Sequence, residues 1–201
     1  MKIAVLALAA LLLAGCGLQR QTVRINAPIA RTGANGPTIA IGTVTDARQP
    51  ATKIKLDQAE QASNVGGMGK DGHGIAVQLD NGTVRDAMRR IVSSALQNAG
   101  FDVTDSRQAE YRIDVRISKF QVAIPFQFWR TAFYNPRMLA DIEAQITITT
   151  PSGVQTFDVK GHGYNVYQRV IAENWQIALD KAVADFEKNL QAQAAGPMAM
   201  H

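Results

Sequence analysis

The side chains able to do chemistry are few and scattered. The string Gly67-Met68-Gly69-Lys70-Asp71-Gly72 has the G-x-G-x-x-G spacing in which backbone N–H groups cradle a pyrophosphate. That chemistry needs a strand directly before the glycines and a helix opening on them. Here polar residues precede the string, and a helical pattern starts only near Val84. Asp71 also stands where a phosphate-binding loop needs Ser or Thr. The glycine-rich stretch 66–74 (Gly66, Gly67, Gly69, Gly72 and Gly74) is therefore expected to be a mobile loop that adds little stability. His73, His162 and His201 show no i, i+4 pairing and the chain has one Cys, so no metal site is written locally. His162, between two glycines, is expected at a strand end. No G-x-S-x-G elbow surrounds a serine, although a Ser-His-Asp set could be distant in sequence. Asp46 and Arg48, beside the stretch from Gly66 to Gly74, form the one candidate crevice for a small ligand or an enzymatic site. With no nucleophile–base pair in view, no catalytic residue, cofactor or metal is expected, and the chain is not expected to be an enzyme.

The single Cys carries the clearest signal. Met1-Lys2 is a short positive start, residues 3–13 are an unbroken apolar run of eleven, and Leu13-Ala14-Gly15-Cys16 follows. Eleven helical residues span roughly 16 Å, about half a bilayer core, which suits a secretory signal and not a membrane span. The junction resembles the bacterial lipobox, whose Cys thiol takes diacylglycerol before cleavage in front of it. The resemblance implies a lipoprotein signal peptide over 1–15 and a mature chain that begins at a triacylated Cys16. Two or more acyl chains hold durably where one binds reversibly. Residue 17 is Gly, and in the enterobacterial-type sorting this resembles, Asp there would retain the protein at the inner membrane. The outer membrane is the expected location, with the domain facing the periplasm and the acyl chains its membrane partner.

A second feature is aromatic. Phe126, Phe128, Trp129, Phe133 and Tyr134 place five of the thirteen aromatics within nine residues, bracketed by Pro125 and Pro136. Two readings stay open. They plug the end of a sheet, or they form a contact patch for an envelope protein or the membrane interface, where aromatics give large area at low entropic cost.

The elements that must position these groups follow from composition and periodicity. The chain has 201 residues, 46% hydrophobic and 19% charged, with a net charge of +4. This is a globular mixture, sufficient for one domain and unlike a disordered or disulfide-stapled chain. The charge excess is mild and contains no block of five like charges, so nucleic acid is not an expected partner.

Residues 16–37 read as a lipidated tether, polar and Pro/Gly-punctuated, with one short extended piece at Val23-Arg24-Ile25. Thr38 to Val44 reads as the first strand of an α+β domain spanning 38–190. Asn81-Gly82-Thr83 matches a glycosylation sequon but reads better as a turn and N-cap, with Asp86 completing a capping box. The apolar stripe Val84, Ala87, Met88, Ile91, Val92, Ala95, Leu96, Ala99 predicts a helix closed by Gly100. Arg85, Arg89 and Arg90 lie off that stripe. Phe101-Asp102-Val103 reads as a short strand. Tyr111, Ile113, Val115, Ile117 and then Ile142, Ala144, Ile146, Ile148 alternate with polar residues, as half-wet strands do. Pro151-Ser152-Gly153 predicts a turn into a further strand. Trp175, Leu179, Ala182, Val183, Phe186 and Leu190 predict a last amphipathic helix, followed by a disordered tail over 191–201. The expected architecture is a two-layer sandwich, a mainly antiparallel sheet with two helices on one face, preceded by a flexible lipidated tether.

Taken together, Val23-Arg24-Ile25 near the Cys, the strand ending in Asp46-Ala47-Arg48, the run Ala99-Gly100-Phe101-Asp102-Val103, the Tyr111 to Ile117 strand and the C-terminal helix resemble YajG-type outer-membrane lipoproteins. The aromatic segment 126–134 departs from that family, where a shorter connection is expected. The plan is also similar to accessory lipoproteins of lipopolysaccharide export and of lipid-transport ABC systems. The resemblance implies location and fold and carries no catalytic residues. Two function classes stay open: an accessory module that docks onto an envelope assembly, and an enzyme or small-ligand binder that uses the crevice beside Asp46, Arg48 and the stretch from Gly66 to Gly74.

Overall fold

The computed structural model describes residues 18–27, 36–49, 56–70, 73–106, 108–125 and 136–198. Cys16, the apolar run 3–13 and the aromatic segment 126–134 lie outside these residues. Eight strands form one mixed sheet: β1 (Leu18–Val23), β2 (Thr38–Asp46), β3 (Asn64–Lys70), β4 (His73–Leu79), β5 (Asp102–Thr104), β6 (Tyr111–Ala123), β7 (Arg137–Thr150) and β8 (Gly153–Val166). The helices are α1 (Gln58–Ser63), α2 (Val84–Asn98) and α3 (Ala172–Met198). The α+β class and the covering of one face by the two long helices are as the patterning implies.

β6 is the axis. One of its edges carries β7 and then β8, in long antiparallel ladders joined by the Pro151-Ser152 turn. Its other edge divides. β2 pairs in parallel with the first part of β6, from Tyr111 to Ile117, and β5 lies outside β2. β3 pairs in parallel with Val122 and Ala123, and β4 and β1 lie beyond it. The alternation in β6 and β7 is the packing pattern. Ile113, Val115, Ile117, Phe120, Ile142, Ala144 and Ile146 are buried under the helices, and their polar neighbours line the open face.

α2 starts as its sequence dictates. The Thr83 side chain accepts from the Asp86 backbone N–H, and the Asp86 carboxylate accepts the Thr83 N–H at 2.9 Å. Its apolar stripe is buried from Val84 to Leu96, and Gly100 follows the C-cap with φ +92°. Arg89, off the stripe, donates to the carbonyls of Ile41 and Gly42, where β2 shifts register.

α3 buries Trp175, Leu179, Ala182, Phe186 and Leu190. It packs closest against β8 at Gly161 and Gly163, where an added Cβ would overlap the carbonyl oxygens of Ala182 and Ala178. The outer edge of β8 is covered by side chains of the same helix. Lys181 Nζ donates to Tyr164 O at 3.0 Å, Asn189 to Lys160 O at 2.8 Å and Gln193 to Asp158 O at 3.2 Å, while Asp185 accepts from the backbone of His162.

Four expectations change. Within the stretch from Gly66 to Gly74, residues 66–70 and 73–74 are paired strand and not mobile loop: β3 pairs antiparallel with β4 and in parallel with β6. Gly66 and Gly67 have φ of +119° and +130°, and Cβ atoms there would strike the carbonyls of Val122 and Ile75, so glycine is what lets this strand fit. Part of the expected tether 16–37 is the edge strand β1, with Val23 and Ile25 in the core, so the domain starts before residue 38. Part of the expected tail 191–201 is helical, since α3 runs to Met198 and buries Ala194. A third, short helix, α1, forms behind an Asp57–Glu60 capping box.

Candidate functional site

The divided edge of β6 leaves a gap between the segments served by β2 and β3, and Arg48 fills it. The side chain is 8% exposed. Nε and Nη2 donate to Asp46 Oδ1 and Oδ2, both at 2.8 Å. Nη1 donates to Asn64 O at 2.9 Å and to Phe120 O at 3.1 Å. The guanidinium thus joins the end of β2, the start of β3 and the middle of β6 through charge-assisted hydrogen bonds. Asn64, itself buried, braces the glycine strand by donating to Gly66 O and Val77 O and accepting from Gly66 N. Burial works to raise the Asp46 carboxyl, but the hydrogen bonds and charge of Arg48 outweigh it and hold the group below the ordinary carboxylate value.

Next to this fork lies a polar recess of about 400 Å³, lined by Ala47, Arg48, Gln49 and the β6 segment from Ser118 to Gln121. Of the crevice anticipated from Asp46, Arg48 and the stretch from Gly66 to Gly74, Arg48 alone lines this recess. Gly74 sits at the far end of β3 and β4, paired with Leu18 and Gly69. Ser118, the hydroxyl at its wall, donates to the Glu143 carbonyl at 3.1 Å. Lys119 reaches Asp141 at 2.9 Å and Glu143 at 3.6 Å, and the hydrogen bond to Asp141 raises its pKa. The cations of the recess therefore face carboxylates of the protein itself. The arrangement braces strands; it offers no hydroxyl aligned with a base.

His162 lies inside β8, not at its end, on the open face opposite Asp141 in the register. Its Nδ1 lies 2.7 Å from Asp141 Oδ1, next to the Lys119 contact. Burial tends to raise Asp141, and the bonds from Lys119 and His162 prevail and lower it. Among the described residues no group of three or more His, Cys, Asp or Glu could hold a metal. The Lys119–Asp141–His162 group escaped the sequence analysis because its members come from three strands. Only the alternation of each strand, which puts them on one face, hints at it.

Cys16, Phe126, Phe128, Trp129, Phe133 and Tyr134 lie outside the described residues. Pro125 and Pro136, which bracket the aromatic segment, are both half-buried. No helix among the described residues is long and apolar enough to cross a membrane.

No family model matches the chain, and no curated protein sequence matches it. Solved structures do show a likeness. A Xanthomonas campestris protein of the DUF330 family aligns with TM-score 0.45 at 10% identity, covering 89% of this chain and 100% of that chain. An uncharacterised protein aligns with TM-score 0.49 at 11% identity, covering 88% of this chain and 99% of the other. The rare lipoprotein B from Shewanella oneidensis aligns with TM-score 0.38 at 11% identity, covering 56% of this chain and 89% of that one. All three likenesses are distant.

Proposed function

We propose that the protein is a periplasmic lipoprotein, anchored in the outer membrane through Cys16, and that it serves an envelope assembly as a non-catalytic accessory module. The observation that carries this is the junction Leu13-Ala14-Gly15-Cys16 directly behind an apolar run too short to span a bilayer. Gly17 favours the outer membrane over the inner. Phe126, Phe128, Trp129, Phe133 and Tyr134 are the candidate contact for a protein partner. The alternative, a ligand-binding or enzymatic role at Asp46 and Arg48, is weakened by the engagement of Arg48 with Asp46 and two backbone carbonyls.

The test is fractionation with labelled palmitate. The parent should carry label and sediment with outer membranes after a high-salt wash, and Cys16→Ser should lose both properties. A Cys16→Ser protein that still fractionates wholly with outer membranes would overturn the anchor. Copurification from intact membranes addresses the role. A stoichiometric envelope protein supports the accessory reading, and a retained small molecule supports the alternative.

A further inference from the structure

Strand direction gathers several chain ends at one end of the sheet. β1 begins there, with Leu18 paired to Gly74, and β3 ends and β4 begins there, with Lys70 paired to His73. β6 leaves the sheet there, β7 enters beside it, and β8 exits beside β7. The open face changes character on approaching this end. The rung Gln121, Asp141, His162 is polar, and the next rung, Ala123, Leu139, Tyr164, presents apolar and aromatic groups. Six large hydrophobic side chains stand exposed among the described residues. Met68 on β3 and Tyr164 and Val166 on β8 belong to this end, whereas Ile171 and Ile177 lie at the start of α3, where Ile177 shares a recess with Thr22, Arg24 and Asp80 at the other end of β1 and β4. Val154 alone lies by the opposite turn.

Cations frame the patch. The Arg137 guanidinium lies 5.1 Å from the centre of the Tyr164 ring and Lys181 Nζ lies 5.4 Å from it. An exposed Tyr between two basic side chains is the composition that membrane–water interfaces favour: the ring sits at headgroup depth and the cations meet phosphates.

We propose that this end of the sheet rests on the phospholipid surface. The inference depends on the lipid anchor at Cys16, and it adds the orientation. Only two residue steps, at most about 7 Å of chain, separate Cys16 from Leu18, so an anchored Cys16 keeps the start of β1 close to the headgroups. The apolar patch then sits where water would otherwise meet it, and the charged middle of the open face stays in the periplasm.

The acylated Cys16 leaves an introduced thiol as the sole labelling site. Val166→Cys and Val154→Cys, both at exposed positions, are each labelled with an environment-sensitive fluorophore in the lipidated mature protein. The proteins are reconstituted in phosphatidylethanolamine–phosphatidylglycerol vesicles containing headgroup spin-labelled lipid. The label at position 166 should be quenched several-fold more strongly than the label at 154. Equal quenching of the two labels on protein that floats with the vesicles overturns the orientation and leaves the anchor standing. Failure of the lipidated parent to float overturns the anchor and the orientation together.

Discussion

The backbone N–H of His162, on the outer edge of β8, donates to Asp185 Oδ2 of α3 at 3.0 Å. It is one step of a ladder in which Lys181, Asp185, Asn189 and Gln193, four residues apart on the helix, meet Tyr164, His162, Lys160 and Asp158, two apart on the strand. Four helical residues advance about 6 Å and two strand residues about 6.8 Å, so the two repeats keep nearly in step. A sheet edge that could recruit another chain is closed by side chains of its own domain.

Asp185→Ala should cost about 1 kcal/mol in urea denaturation, since the freed N–H can still reach water. Replacing Lys181, Asp185, Asn189 and Gln193 together by Ala should add a second effect, self-association through β8. Sedimentation velocity would detect it as a concentration-dependent dimer. A variant that stays monomeric at all concentrations would show that the ladder does not guard the edge.

Gly161→Ala and Gly163→Ala should each destabilise by about 2–3 kcal/mol, because the new methyl meets helix backbone and the helix must move off the sheet. His162→Ala, between them on the exposed face, should change stability by less than about 1 kcal/mol. Chemical denaturation of the three variants gives the comparison directly.

Arg48→Ala should be among the most damaging single changes, at about 3 kcal/mol. It leaves the Asp46 charge without its partner and two carbonyls unsatisfied. Arg112→Ala removes a pair that is largely exposed on both sides and should cost under about 0.5 kcal/mol. The pH dependence has a definite sign. Asp46 titrates lower in the folded protein than in the unfolded chain. Its contribution is therefore present above the unfolded value, about 3.9, and is lost as pH falls through the folded one. The gap between the denaturation midpoints of parent and Arg48→Ala should narrow as the pH is lowered below 4, down to the part owed to the two carbonyls.

Glu187 has the opposite sign. Burial raises its carboxyl and outweighs the smaller opposing influence of the Ser94 hydroxyl. Ionising it opposes folding, and that penalty vanishes below the unfolded value, about 4.3. Glu187→Gln should stabilise the protein at pH 7, and the gain should shrink towards zero on going to pH 4. A gain that is constant across this range would show that the effect is not one of charge.

Replacing the stretch from Gly66 to Gly74 by a Gly-Ser linker should lower the melting temperature by more than ten degrees. The hairpin links β1 and β4 to β6, and removing its first strand strands two others. An unchanged melting temperature would return this stretch to the status of a loop.

What the sequence revealed tracks the range of the forces involved. The Thr83–Asp86 box, the α2 stripe and the alternation in β6 and β7 are set by neighbours a few residues away, and each was legible. β3 was not, since strand identity is read from side chains and five of its seven residues lack an apolar one: Asn64, Gly66, Gly67, Gly69 and Lys70. β1 was illegible for a related reason. Leu18-Gln19-Arg20-Gln21-Thr22-Val23 shows no alternation because it is an edge strand with little burial before Val23. Arg48 was noticed beside Asp46, but its bonds to Asn64 and Phe120 depend on where β6 divides, which no local pattern encodes. The glycines around His162 are explained only by the approach of α3, from residues about twenty positions away.

The bond between Gln176 Oε1 and the backbone N–H of Arg24, and the return bond from Gln176 Nε2 to Arg24 O, join residues 152 apart in sequence, both at 2.8 Å. Among the described residues, the end of the first strand, β1, is thus held by the last helix, α3. A nascent chain can form the β6–β7–β8 meander from near neighbours, but it cannot close its core until α3 has been made. Such a chain folds late and all together, and stays pliable for as long as its C-terminus is withheld.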